Sequence, residues 1–354
     1  MRGLILSGGK GTRLRPLTYT QAKQLVPVAN KPVLFYGIEA LKQAGIKEIG
    51  IIVGETKEEI KQVVGDGIRW DLSITYIEQE EPLGLAHAIK VSEEFLKKEP
   101  FVMYLGDNIL KSGITSLVEE FQRKKPNSLI LLTEVENPQM FGVAELEDGR
   151  VVRLVEKPQK PASNLALVGV YMFDEHIFEA VNAIQPSWRN ELEITDAIQY
   201  LVEHGYEVHP HLVTGWWKDT GKIEDILDAN RLILETVSGV NRGHVDDASR
   251  INGQVVIEEG VDIRNSVIRG PAIIGENSQI SDSYIGPFTS IQNDCKIAHT
   301  EIEHSIVLEK SEIIEVGSRI DESLIGREVK IFKCPPKPSV YRFMVGDRSE
   351  IGIK

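Results

Sequence analysis

The chain has 354 residues, 42% hydrophobic and 26% charged, the balance of an ordinary soluble globular protein with room for roughly two domains. Forty basic residues against fifty-three acidic ones leave a net charge of −13, which repels nucleic-acid phosphates and argues against a generic DNA or RNA binder. No apolar run reaches the ~18–20 residues of a membrane-spanning helix. The two cysteines, Cys295 and Cys334, lie far apart without CxxC spacing, so reduced thiols in a cytoplasmic protein are expected rather than a disulfide or zinc site.

In chain order, Met1-Arg2-Gly3-Leu4-Ile5-Leu6-Ser7 runs straight into glycines with no small-residue cleavage site, which marks a buried first strand rather than a signal peptide. Strands are expected at Arg2–Ser7, Glu48–Val53, Ser73–Ile77, Phe101–Leu105 and Ser128–Thr133, and helices near Pro32–Ala44, Lys57–Val64, Leu85–Leu96 and Ile114–Arg123. Pro32 suits a first helical turn, where a missing N–H costs nothing. The alternation implies βαβ units and an α/β architecture with a doubly wound, mostly parallel, Rossmann-like sheet. From about Phe141 to Val213 the strands come closer together, which predicts an antiparallel extension; the pattern Lys222–Val237 predicts a closing helix.

After Gly239 the texture changes. Aliphatic residues recur at steps of about six, through Ile251, Ile257, Ile263, then Ile274, Ile280, then Ile285, Ile291, Ile297, with a slip to five at Ile302. That period is the signature of a parallel β-helix, here of left-handed type, whose coils each bury one anchor per face. Cys334-Pro335-Pro336-Lys337-Pro338 cannot continue a central strand and is expected to leave the solenoid. The expected division is therefore 1–238, 239–333 and a tail 334–354.

The stretch richest in chemistry is Leu6-Ser7-Gly8-Gly9-Lys10-Gly11-Thr12-Arg13-Leu14-Arg15-Pro16, directly after the first strand, where open α/β sheets place their ligands. A Walker A loop needs Ser or Thr after its Lys, but Lys10 is followed by Gly11. A dinucleotide GxGxxG turn leads at once into a helix, which Pro16 obstructs. What remains is a loop whose free N–H groups can face phosphate oxygens, with Arg13 and Arg15 adding charge. A plain glycine turn with surface arginines is the bland alternative.

Further landmarks follow: Gln21-Ala22-Lys23-Gln24-Leu25-Val26-Pro27-Val28-Ala29-Asn30-Lys31-Pro32, Gln79 with Pro82-Leu83-Gly84-Leu85-Ala86, Gly106-Asp107-Asn108, Phe141-Gly142-Val143, Glu156-Lys157-Pro158, Gly169-Val170-Tyr171, Glu191-Leu192-Glu193-Ile194-Thr195-Asp196 and Trp217-Lys218-Asp219-Thr220-Gly221. In this order, over about the first 235 residues, the chain resembles the sugar-nucleotide pyrophosphorylases, most closely the glucose-1-phosphate thymidylyltransferases, and with its solenoid their long-chain form.

The resemblance implies an enzyme that joins dTTP and glucose 1-phosphate into dTDP-glucose and pyrophosphate with Mg²⁺. A sugar phosphate is already anionic at neutral pH, so such a site needs charge neutralisation and in-line positioning rather than a general base. By the resemblance, Asp107 and Asp219 would be the metal ligands. Arg13, Lys23 and Lys157 would be the catalytic cations, the first two on the triphosphate and Lys157 on the sugar phosphate. Leu6, Gly8, Gly9, Gly11, Thr12, Arg13, Gln24, Gln79, Gly84 and Asp107 would bind the nucleotide, with Gln79 and the backbone at Gly84 reading the thymine edge. Gly142, Glu156, Lys157, Gly169 and Trp217 would meet the sugar. Taken singly, either aspartate would more naturally be a loop or cap residue, Lys and Arg are often plain surface charge, and Trp216 and Trp217 could be core residues.

Gln24 favours the thymidylyl group over its uridylyl relatives, which leaves UTP or another sugar phosphate as the nearest alternative. A non-catalytic sugar-nucleotide sensor is the alternative of another class; retention of Arg13, Lys23, Asp107, Lys157 and Asp219 argues against it. Phe141, His87 and Lys218 depart from the family's usual tyrosine, glutamine and aliphatic residue. For the solenoid, an acyltransferase role through His299 or His304 is weighed against assembly or stability, and homo-oligomerisation is the expectation, because solenoid flanks commonly pack together.

Overall fold

Strand β1 (Arg2–Leu6) is buried along its whole length, as the apolar run Leu4-Ile5-Leu6 requires. In this computed structural model, which describes residues 1–334 and 340–353, β1 lies inside a nine-stranded sheet. Its other members are β2 (Glu48–Val53), β3 (Ser73–Glu78), β4 (Phe101–Leu105) and, past the short β5 (Asn108–Leu110), β6 (Ser128–Glu134), β7 (Gly142–Glu147), β8 (Arg150–Glu156), β9 (Leu165–Phe173) and β10 (Val208–Leu212). A separate short strand, β11 (Trp217–Asp219), pairs with β5. The order is β8-β7-β9-β4-β1-β2-β3, with β6 against β9 and β10 against β6. Neighbours among β1 to β4 run parallel, and β9 is antiparallel to β4. Alternate side chains of β1 enter different cores, Ile5 one and Leu4 and Leu6 the other, as a strand's period of two dictates.

Helices α1 (Val33–Gln43), α2 (Lys57–Val64), α3 (Leu85–Val91) and α4 (Thr115–Lys124) connect the parallel strands. Two details differ from expectation. Pro32 belongs to a two-residue ladder, Pro27–Val28 against Lys31–Pro32, and the helix starts after it. The pattern Leu85–Leu96 breaks at Ser92, whose hydroxyl donates to Ala88 O at 2.7 Å, the side-chain back-bond that competes with helix continuation. Within the antiparallel extension lie two further helices, α5 (Ile177–Ala183) and α6 (Ile194–Glu203), which close strand spacing alone did not reveal. Ile194, Ala197, Ile198 and Leu201 recur at helical spacing and enter the core of Leu4 and Leu6.

The strands and helices so far, with Met1–Lys10, Gln21–Leu25 and Val33–Asp219, form one compact unit. Gly11–Thr20, Val26–Pro32 and Thr220–Lys354 form a second. There α7 (Ile223–Leu234) precedes three parallel sheets of six, six and four strands, the left-handed parallel β-helix expected from the repeats. Its anchors stack in register: Ile257, Ile274, Ile291, Val307 and Ile325 up one face, Ile263, Ile280, Ile297, Ile313 and Ile331 up another. His299 and His304 take left-handed corner positions, with φ of 50° and 45°. The His304 ring lies against Phe288, centroids 5.3 Å apart, with Nδ1 3.1 Å from Asp321.

Buried Asn230 of α7 ties this unit together: its Oδ1 accepts from Ala29 N at 2.8 Å and Ser290 Oγ at 2.7 Å, and its Nδ2 donates to Phe288 O at 3.0 Å. Asn30 Nδ2 donates to Ile291 O at 2.6 Å. The expected exit at Pro335–Pro338 lies outside the described residues. Beyond it, Val345-Gly346-Asp347-Arg348-Ser349-Glu350-Ile351 shares the glycine, serine and closing isoleucine of the Ile274–Ile280 corner. Arg348 has φ 63° as Asn277 has 57°, and Ser349 N–H donates to Gly346 O at 3.4 Å as Ser278 does to Gly275.

Candidate active site

β4 delivers the chain through Gly106 and Asp107 into β5, and β11 runs antiparallel to β5 with Asp219 opposite Asn108. The ladder therefore sets the two predicted metal-ligating carboxylates on neighbouring positions, although they are far apart in sequence. Asp107 accepts hydrogen bonds from buried Lys23 Nζ and from Asn108 Nδ2, the latter at 2.8 Å. Burial alone would push its carboxyl up. The Lys23 charge and hydrogen bond, with those from Asn108 and the backbone, outweigh it and hold the group below the usual carboxylate range. Asn108 is the hub: its Oδ1 accepts from Trp217 Nε1 at 2.5 Å and from Gly169 N at 3.3 Å. A Cβ at Gly169 would stand 2.6 Å from that oxygen, so the close approach needs glycine. Two carboxylates one register step apart on facing strands would offer the all-oxygen donors that a hard divalent cation takes when it shares its sphere with phosphate and water.

The glycine loop leaves β1 after Leu6, with Gly8 half-buried and Gly9 exposed; Lys10 pairs with Glu55 at 2.6 Å. Gln24 is 3% exposed, and its Nε2 lies 3.9 Å from where a Cβ of Gly9 would be. Its Oε1 is a buried acceptor without a hydrogen-bond donor among the described residues, a costly state that a ligand donor would relieve. Gly11 (φ 59°), Thr12 and Arg13 follow in the second unit, the last two exposed in a single 3-10 turn.

Gln79, just past β3, donates from Nε2 to Gly84 O at 3.2 Å and sits 2.9 Å from His87 Nδ1. Gly84 has φ 106°, and a Cβ there would meet Leu192 O at 2.4 Å, so a side chain is excluded twice over. Leu192 N donates to Leu83 O at 2.7 Å and fastens this loop.

A third cluster gathers around Glu156, opposite Gly142 in the β7–β8 ladder. Its carboxylate accepts from Thr195 Oγ1 and Arg189 Nη1, each at 3.3 Å, with Lys157 Nζ 3.9 Å away. Burial, and then the charge of Glu193, push the Glu156 carboxyl above its ordinary range. Lys157 has φ 41° and donates its N–H to Phe141 O at 3.0 Å; the Phe141 ring meets Trp217 edge-on, centroids 5.5 Å apart.

The predicted residues of the first unit thus fall into three groups: Lys23, Asp107, Gly169, Trp217 and Asp219; the loop and Gln24 with Gln79 and Gly84; and Gly142, Glu156 and Lys157. Sequence reasoning missed Asn108, Arg189 and Glu193. Asn108 and Glu193 stood inside motifs already singled out, but nothing in those motifs separates a buried, bonded residue from a loop residue. Arg189 stood outside every motif.

The class of protein is a transferase: the nucleotidyl transferase family model matches residues 2–236, the span that carries the Rossmann-like sheet. A glucose-1-phosphate thymidylyltransferase of Streptomyces griseus is 51% identical over 354 residues, covering 100% of this chain and 99% of the relative. One from Streptomyces antibioticus is 53% identical over 356 residues, covering both chains completely. The crystal structure of a UDP-glucose pyrophosphorylase complexed with UDP-glucose is similar with a TM-score of 0.60 and 26% identity, over 66% of this chain and 98% of that one. The chain belongs to the nucleotidyl transferase family, acting on nucleotide and sugar-phosphate small molecules, and members of this family generally use a divalent metal. Among the described residues no helix is long and apolar enough to cross a membrane.

Proposed function

We propose that this protein is a glucose-1-phosphate thymidylyltransferase, forming dTDP-glucose and pyrophosphate from dTTP and α-D-glucose 1-phosphate. The observation that carries this reading is the β5–β11 ladder, which sets Asp219 beside Asp107 with Lys23 on the latter's carboxylate. The activity in the names of the two Streptomyces relatives supports the choice of substrates.

An anionic oxygen of the sugar phosphate attacks the α-phosphorus in line; the bond from that phosphorus to the bridging oxygen breaks, and pyrophosphate leaves with the electron pair. No proton has to be removed, which agrees with a site built from cations and carboxylates. Asp107 and Asp219 would hold Mg²⁺, which supplies positive charge against the phosphate oxygens when bound. Lys23, which pairs with Asp107, would turn toward the triphosphate and the departing pyrophosphate. Arg13 is assigned to the same ligand from the sequence of its loop. Lys157 would meet the sugar phosphate, while Glu156 and the backbone at Gly142 and Gly169 would line the sugar. Gln79, Gly84 and Gln24 would meet the base, with Leu6, Gly8, Gly9, Gly11 and Thr12 in the loop beneath the phosphates. Trp217 would stack near the sugar nucleotide from its anchor on Asn108.

We assign the β-helix to assembly or stability and expect a homo-oligomer. A cytoplasmic location accords with two free thiols, the buried Cys295 pushed up to about 11 by burial. The test is pyrophosphate release from purified protein with dTTP, UTP and several sugar phosphates. Asp107→Asn should lower release with dTTP and glucose 1-phosphate by about 10²–10³-fold with an unchanged far-UV spectrum. Near-normal release from that variant overturns the role of Asp107, and a preference for UTP overturns the thymidylyl assignment.

A further inference from the structure

Gln79 has one amide with two donor hydrogens and one acceptor oxygen, and which end faces a ligand decides what base it can accept. Both hydrogens are engaged on the protein side: one toward Gly84 O at 3.2 Å, the other toward His87 Nδ1 at 2.9 Å. An NH₂ group can only donate, so Nδ1 must be the accepting nitrogen and the ring proton sits on Nε2. His87 lies on α3, half-buried, and burial with the nearby Lys90 charge pushes the ring below the ordinary histidine range. The amide oxygen is what remains. It lies 3.5 Å from where a Cβ of Gly8 would stand, facing the glycine loop.

We propose that His87 is a positioning residue for base selection: it fixes the Gln79 amide with its oxygen presented to the ligand, so that a base offering an N–H at its pairing edge is accepted and one offering a lone pair is rejected. Thymine and uracil present N3–H there, whereas cytosine presents an unprotonated N3. With both hydrogens held by Gly84 and His87, Gln79 cannot turn over to suit cytosine without leaving the imidazole nitrogen or the carbonyl unpaired. A neutral histidine with its proton on Nε2 commits the amide to one orientation; without that acceptor, rotation costs only the Gly84 bond. This inference rests on the proposal that Gln79 meets the nucleobase.

The experiment compares kcat and KM for dTTP and dCTP in the wild type, His87→Ala, His87→Asn and Gln79→Ala, with glucose 1-phosphate saturating. In His87→Ala, KM for dTTP should rise about tenfold and the dTTP-over-dCTP preference fall about tenfold, with kcat for dTTP held. His87→Asn places an amide oxygen near the Nδ1 position and should recover most of the preference. An unchanged preference in His87→Ala overturns the proposal, as does His87→Asn behaving like His87→Ala, which would signify a packing role. Gln79→Ala separates the two layers. If it lowers the preference while His87→Ala does not, positioning by His87 fails but base contact by Gln79 stands; if Gln79→Ala leaves the preference intact, base contact itself fails.

Discussion

In the first unit, Asp107, Asn108 and Glu156 are held by partners distant in sequence; in the second, one local arrangement is repeated coil after coil. Asp107 depends on Lys23, Asn108 on Trp217 and Gly169, and Glu156 on Arg189 and Thr195. In the β-helix, Ile263, Ile280, Ile297, Ile313 and Ile331 serve the same purpose in successive turns. A network of unlike partners concentrates function at a few points. A stack of like coils spreads stability along its length, with each coil resting on its neighbours. Substitutions in the network should therefore change rates more than stability, and those in the stack the reverse.

The largest effect is expected in the stack. Ile297 is fully buried, and Ile297→Ala should cost about 2–5 kcal/mol in urea unfolding of the second unit, while pyrophosphate release per folded molecule stays at the wild-type value. Lost turnover in protein that remains folded would break the contrast. Next comes Gly169→Ala, whose new methyl must displace Asn108 from 2.6 Å and with it the support of Asp107. A fall in kcat of about tenfold to a hundredfold is expected, with a far smaller change in Tm than Ile297→Ala produces.

The smallest effect sharpens the comparison by its sign. Glu156 has a carboxyl pushed upward in the folded protein, so its ionised form costs stability at pH values above the ordinary Glu range. Glu156→Gln should therefore match or exceed the wild-type Tm at pH 7 while raising the KM for glucose 1-phosphate. The Tm advantage should close as pH falls through the ordinary Glu pKa of about 4.3, where both side chains are neutral. A Tm at pH 7 clearly below wild type would show that Glu156 is a structural anchor instead.

The strands around the site were legible from sequence because Leu4–Leu6, Ile49–Val53 and Phe101–Leu105 are short apolar runs followed by Ser7, Gly54 and Gly106. The β-helix was legible because its anchors recur at a fixed step. The helices α5 and α6 were not, since their short amphipathic patterns lie among closely spaced strands. Of the site, the charged residues stood out beside glycine and proline landmarks. Asn108 and Glu193 did not, because a buried polar residue shows its importance only through what it bonds: three hydrogen bonds around Asn108, and Ser187 with Arg189 around Glu193.

By itself the sequence determined the chemistry on offer: a glycine loop after the first strand, two carboxylates, a set of lysines and arginines, and a repeating aliphatic period. Local backbone preference and side-chain periodicity are written residue by residue, so no folded chain is needed to see them. Only the tertiary structure decided which groups meet. The pairing of β5 with β11 sets Asp219 opposite Asn108, one position from Asp107, and Asn30 and Asn230 bind Val26–Pro32 to the β-helix. Those contacts link positions far apart along the chain, and their free energy exists only once both sides are in place.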